Sequence, residues 1–236
     1  MSSSSSSFSQ SSASRLHLPQ VITMDGPSAS GKGTLSRRLA KELGYIYVDS
    51  GAMYRTLAWW VLRQGISLEA PLSDAGQTAV NGQLRRWKAE MKVVDGQAWL
   101  HVDGYFPAKE IRGDAVEHAV PVIAQISKVR DWMVARQREC VNLGPLVMEG
   151  RDIGTVVFPL APVKFFLEAD ESERQKRIEG RGGNTSAARR DHMDSTRKKG
   201  ALIPALDAIR INNTGQTPDE TYDVMLRHVR ERLGRA

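Results

Sequence analysis

The sequence predicts an α/β fold, a five-stranded parallel sheet flanked by helices. Three observations carry this expectation. Short apolar runs recur from residue 20 onward, they are nearly continuous where a half-exposed strand would alternate, and longer amphipathic stretches separate them. Strands covered on both faces read as unbroken apolar runs, and strand–helix alternation builds a parallel sheet. The chain has 236 residues, 41% of them hydrophobic, which suits one domain with small excursions.

Taken in order, the opening MSSSSSSFSQSSASRLHLPQ is serine-rich and lacks the basic-then-apolar layout of a secretory leader. Residues 1–19 are expected to form a disordered tail, with a transit peptide the weaker alternative because the stretch holds a single arginine. VITMD (21–25) is the first expected strand and 32–43 the first helix, followed by strand YIYVD (45–49) and helices 51–64 and 72–86. WKAEMKVVDGQAWLHVDG (87–104) then switches to period two around Asp95-Gly96, the signature of an antiparallel hairpin and so of a small β-rich insertion. Helix 127–142, strands 146–149 and 163–169, helix 171–181, strand 208–212 and helix 217–233 complete the alternation. The expected division is a core at 20–69, an insert at 70–112, and core again at 113–177 and 191–236, with a short separate segment at 178–190.

Lys plus Arg number 33 against 27 Asp plus Glu, a formal net charge of +6 that favours anionic partners. A single cysteine, Cys140, excludes an intramolecular disulfide and points to a reducing, cytoplasmic setting. No run approaches the ~20 apolar residues of a membrane span. Trp59, Trp60, Trp87, Trp99 and Trp132 lie in helix or hairpin patterns, which favours packing over base stacking and leaves a nucleic-acid-binding reading without support.

MDGPSASGKGTL (24–35) carries the chemistry. It follows a strand and opens a helix, the context that phosphate cradling needs. Gly26 and Gly31 let the backbone N–H groups of Ser28-Ala29-Ser30 and their neighbours, in the loop that starts at Pro27, turn inward, the helix start offers its positive end, and Lys32 can reach β/γ-phosphates. Gly33 stands where a hydroxyl is usual, with Thr34 one place later. Past the second strand come Ser50, Gly51, Tyr54 and Arg55, and past the strand ending at Glu149 come Arg151 and Asp152, with a glycine before and after the pair. Ligands bind beyond the carboxyl ends of strands in open parallel sheets, so these groups should converge with Lys32. A carboxylate at Glu149 could hold Mg²⁺ through water. Arg190, Asp194 and Arg197 are spaced i, i+4, i+7 and should share one helix face.

Five segments in order, GPSxSGKGT, DSGAMYR, KVR…RQR, EGRDIGTVVFP and RRDHMDSTR, resemble the bacterial cytidylate kinases over residues 20 to the C-terminus. The resemblance implies a P-loop NTPase fold, transfer of the γ-phosphoryl of ATP to CMP or dCMP with Mg²⁺, an insert that binds the monophosphate at 70–112, and a lid at 178–190. It places ATP on Gly26, Pro27, Ser28, Ala29, Ser30, Gly31, Lys32, Gly33 and Thr34, with the Thr34 hydroxyl near Mg²⁺. It places CMP on Ser50, Arg55, Arg130, Arg151, Asp152, Arg190, Asp194 and Arg197, with Arg130 and Asp152 on the cytosine and Asp194 on the ribose. Lys32, Arg55, Arg151, Arg190 and Arg197 would neutralise the transferring phosphoryl group. The expected partners are small nucleotides, with no nucleic acid or membrane, and the expected state is a monomer. Kinases of other monophosphates or of alcohols share the loop but not GRDIGTVVFP together with RDxxDxxR. Two departures stand out: 178–189 is shorter than the family's lid, and Pro121 replaces a serine that helps read the base.

Overall fold

The computed structural model describes residues 21–69, 72–180, 182, 186–197 and 199–234, without the side chains of 187, 189 and 190. The expected tail at 1–19 and positions 181 and 183–185 of the expected lid lie outside the described residues.

β1 (Val21–Asp25) is buried along its whole length. Its alternating side chains feed two cores, Val21 joining one and Ile22 and Met24 the other. α1 (Lys32–Leu43) ends where Gly44 takes φ 66°, a left-handed turn that glycine adopts without steric cost. β2 (Ile46–Asp49) leads directly into α2 (Ser50–Arg63), capped by the Asp49 carboxylate accepting from the Ala52 N–H at 2.9 Å. After α3 (Asp74–Arg86), β3 (Ala89–Val94) and β4 (Gln97–Val102) form the expected hairpin. Both turn residues, Asp95 at φ 50° and Gly96 at φ 73°, are left-handed, which matches strand twist in a two-residue turn.

That hairpin corrects the expected strand count. β4 pairs parallel to β2, with Tyr47 opposite Gln97, so the sheet has seven strands in the order β3-β4-β2-β5-β1-β6-β7. An uncovered β2 edge would leave a row of unpaired backbone groups, and the hairpin satisfies them. The five parallel strands expected from the apolar runs are all present, completed by β5 (Leu146–Gly150), β6 (Val163–Glu168) and β7 (Ile209–Asn212). β1 lies between β5 and β6, so the loops after β1, β2 and β5 open on one edge.

α4 (Asp114–Ile123) is an element the sequence reading does not supply, because Pro121 inside it argues for a break. Burial of Val116, Ala119, Val122 and Ile123 holds the helix despite the lost amide. α5 (Ser127–Glu139) is shorter than expected and passes into a 3₁₀ turn, Cys140–Leu143, that buries the lone cysteine. α6 (Glu171–Glu179) and α7 (Ala187–Ser195) precede the closing α8 (Pro218–Leu233). α7 stops before Arg197, which corrects the expectation that 190, 194 and 197 share one helical face.

Trp59 and Trp87 are buried, and Trp60, Trp99 and Trp132 pack against the same core. Among the described residues no helix is long and apolar enough to cross a membrane.

Candidate active site

The chain leaves β1 at Asp25 and turns sharply through 26–31. Gly26 has φ 148°, and a Cβ there would overlap the Leu167 carbonyl of the neighbouring strand, so only glycine lets the loop leave at this point. Ala29 at φ 57° and Gly31 at φ 96° continue the reversal, and a non-glycine residue in that region costs roughly 1–2 kcal/mol. The surroundings support this conformation from outside. Asn213 donates to the Ser30 carbonyl at 2.8 Å, Arg177 to that of Ala29 at 3.4 Å, and Arg174 to that of Ser28 at 3.3 Å. The Ser28 N–H donates to Asp191 of α7 at 3.2 Å. With its carbonyls engaged by these neighbours, the loop can turn its remaining N–H groups toward the cleft as an anion nest.

Lys32 folds back into that nest, donating to the Pro27 carbonyl at 2.6 Å and to Ser30 Oγ at 3.4 Å. Burial, with the Arg151 guanidinium adding to it, lowers its ammonium to about 7. Gly33 now has a physical account: a Cβ there would lie 2.9 Å from Glu149 Oε1, and the Tyr47 hydroxyl, which donates to the same oxygen, holds that carboxylate in place. Burial raises Glu149, and Asp49 adds to the rise. Thr34 is exposed on the same cleft wall. Among the described residues there is no cluster of three His, Cys, Asp or Glu side chains that could hold a metal by itself. One hydroxyl and one carboxylate suit Mg²⁺, which keeps several waters and takes its other oxygens from a substrate's phosphates.

Opposite the nest stands a set of paired guanidinium groups. Arg55 bonds Asp49 at 2.8 Å, and Asp49 also caps α2, so one carboxylate fixes both the helix and the arginine. Arg151 donates through Nε to Asp194 at 2.7 Å, and Arg197 pairs with the other Asp194 oxygen. Burial pushes the Asp194 carboxyl up, but Arg151 and Arg197 outweigh it and hold it below the usual carboxylate range. Deeper in, Arg130 pairs with Asp152 and donates to the Tyr54 hydroxyl at 3.4 Å. Ser50 spends its hydroxyl proton on the Glu149 carbonyl at 2.6 Å.

The loop after β5 is held by a residue the sequence reading did not single out. Asp25 accepts from the Ile153 N–H at 2.8 Å and the Gly154 N–H at 2.7 Å, capping a single π-helical turn, Ile153–Val157. Its burial, opposed by these two amides, raises its pKa to about 6.

These groups meet in one cleft of about 630 Å³. Ser28 to Thr34, Ser50, Arg55, Arg130, Arg151, Asp152, Asp194 and Arg197 all line it. Gly26 and Pro27 form the base of the loop without lining the cleft, and the side chain of Arg190 lies outside the described residues. The structure adds Arg37, Tyr47, Glu117 and Arg112 to the walls. Arg37 lies over the Tyr47 ring at 4.8 Å, and its place one turn beyond Gly33 on α1 was a usable signal. Asn213 carries no motif of its own, because it acts through a backbone group of a distant loop, and Asp191, the first aspartate of RDxxDxxR, was not singled out because its partners Ser28 and Arg174 lie far away in the chain.

Residues 22–231 match the family model described as cytidylate kinase. A cytidylate kinase of Nocardia farcinica is 39% identical over 227 residues, covering 91% of this chain and 95% of the relative. One of Rhodococcus opacus is 41% identical over 226 residues, covering 91% and 96%. One of a Geobacillus species is 38% identical over 224 residues, covering 90% and 97%.

Proposed function

This chain belongs to the cytidylate kinase family, and from that premise we propose how its cleft moves the γ-phosphoryl of ATP onto CMP or dCMP to give ADP and CDP or dCDP. The observation that carries the reading is the convergence, in one cleft, of the anion nest around Lys32 with Arg55, Arg151 and Arg197 from three other segments. The nest takes the triphosphate of the co-substrate ATP. The arginines take the acceptor phosphate, for which a planar, permanently charged fork is the better geometric match.

Arg130 and Asp152 read the base. Cytosine presents an amino donor beside ring acceptors, and a guanidinium next to a carboxylate offers the complementary acceptor and donors. Uracil presents an oxygen where cytosine has its amino group, and that oxygen would face the Asp152 carboxylate. Pro121 lines the same cleft without a side-chain donor or acceptor, so discrimination rests on this pair.

A CMP phosphate oxygen is already anionic at neutral pH, and no general base has to create the nucleophile. What remains is alignment and charge neutralisation during in-line transfer. On phosphate binding, Lys32 leaves the Pro27 carbonyl and takes full positive charge against the transferring group. Arg151 and Arg197 are oriented in advance by Asp194, so little reorganisation accompanies the reaction. Mg²⁺, held by Thr34 and through water by Glu149, would supply further neutralisation of the phosphates.

The test is ADP release with CMP, dCMP, UMP and AMP side by side, for the natural chain and for Lys32→Ala. Losing one neutral hydrogen bond at Pro121 costs about 0.5–1.5 kcal/mol, so CMP should lead UMP by a reduced margin. Lys32→Ala should lower kcat by roughly a hundred- to thousandfold with the fold intact. Preference for AMP, or near-natural turnover in Lys32→Ala, would reject the assignment.

A further inference from the structure

Gly200 follows α7 and the arginine that pairs with Asp194, in a segment that belongs to none of the motifs. It has φ 65°, and a Cβ built on it would overlap the Arg130 guanidinium and the Asp152 carboxylate. Other left-handed glycines are different: at Gly44 (φ 66°) and Gly65 (φ 72°) an added Cβ meets nothing within 4 Å. Position 200 thus favours glycine for its left-handed conformation, and any Cβ there would force the buried Arg130 and Asp152 side chains to shift. Its backbone lies directly on a buried ion pair whose side chains are 5% and 10% exposed. Two tethers keep it there. The Leu202 N–H donates to the Asp194 carbonyl at 3.0 Å, and Lys199 pairs with Asp131 at 3.2 Å across the surface.

We propose that Gly200 is a specificity-determining residue: its bare backbone is the wall that holds the Arg130–Asp152 pair in the plane that reads the base. An arginine has several rotatable bonds, and a guanidinium free to tilt would offer its donors to uracil nearly as well as to cytosine. The wall matters more here because Pro121 contributes no hydrogen bond to the base. The same contact links base reading to phosphate binding, since Asp194, which anchors the wall through its carbonyl, also orients Arg151 and Arg197. The proposal rests on the reading that Arg130 and Asp152 recognise the base, and the experiment separates the two.

Asparagine tolerates the left-handed conformation, so Gly200→Asn adds a Cβ against the pair with little backbone strain. Gly44→Asn, at nearly the same φ and with open space around it, measures the backbone effect alone. The readouts are KM for CMP, UMP and ATP and the ratio of kcat/KM for CMP over UMP. A displacement of about 1 Å at a reading group can cost up to roughly a hundredfold, so Gly200→Asn should raise KM for CMP at least about tenfold and narrow the ratio. KM for ATP should stay within about twofold, and Gly44→Asn should change neither. Equal losses for CMP and UMP, or a Gly200→Asn ratio matching that of Gly44→Asn, would overturn the proposal. Asp152→Asn reports on the underlying reading: if it leaves the ratio intact, both readings fall, and if it moves the ratio while Gly200→Asn does not, only the role of Gly200 falls. Should Gly200→Asn not fold, Gly200→Ala carries the test by placing a single methyl group against the pair. A narrowed ratio supports the proposal and an unchanged one overturns it.

Discussion

Asp25 commits its whole carboxylate to the cleft's foundation. It is buried at the end of β1, and both of its oxygens are held by amides of the loop that carries Arg151 and Asp152. Burial nevertheless dominates, and the acid rises from 3.8 to about 6. A carboxyl with a folded pKa above its unfolded one binds its proton more tightly in the folded state. Its contribution therefore favours folding fully below the unfolded value near 3.8 and is lost as pH rises through about 6. Two pKa units correspond to roughly 3 kcal/mol. Asp25→Asn should remove this slope, so that urea-unfolding stability between pH 4 and 7 becomes flatter than in the natural chain. The variant should also lose about 1–3 kcal/mol at pH 4, because the new amide can accept from only one of the two N–H groups. An unchanged slope would mean that Asp25 does not titrate in this window. Motif reading found Lys32, Arg151 and Asp152 but passed over Asp25, because an aspartate closing an apolar run looks like a strand end until its partner loop is in view.

At the scale of elements, the strands were legible because apolar continuity reports burial on both faces, and six helices were legible from amphipathic spacing. α4 was not, since Pro121 is a breaker locally and only packing against α2 overrides it. The hairpin was recognised from Asp95-Gly96, but its destination on the β2 edge was not, because pairing between distant segments leaves no local mark. The segment between α6 and α7, which the resemblance implies is a short lid, belongs to this scale. A closing segment sequesters the transferring phosphoryl group from water, and a shorter one covers less of it. ADP release from ATP without any monophosphate should be measurable at a fixed fraction of the CMP-dependent rate. A longer segment grafted between residues 180 and 186 should lower it. No release without CMP would refute the link between segment length and water exclusion.

For the molecule as a whole, the cleft is lined by seven Lys and Arg side chains, whose mutual repulsion is offset only in part by the five carboxylates of Asp49, Glu117, Glu149, Asp152 and Asp194. Two anionic ligands complete that balance, and both bind the folded state alone. At ligand concentrations near a hundred times Kd each contributes about 2.7 kcal/mol. For a chain of this size each kcal/mol raises Tm by about 2–4 °C. ATP and CMP together should therefore raise Tm by more than either alone, measured by differential scanning fluorimetry, and 0.5 M salt should shrink the shift because partly exposed charges are screened. Equal shifts for CMP alone and for the pair would argue against simultaneous binding of the two nucleotides.

By itself the sequence determined the α/β class, the phosphate loop, the family and many of the cleft-lining residues, because each of these is written in contiguous residues: periodicity, glycine spacing, charge at strand ends. Tertiary structure alone decided why Gly33 is glycine, how Asp25 holds the Arg151–Asp152 loop, where the hairpin attaches and what Gly200 leans on. The physical reason is common to all four. Each depends on a side chain or backbone group meeting a partner far away in the chain, and such a meeting is set by packing, which no local pattern encodes.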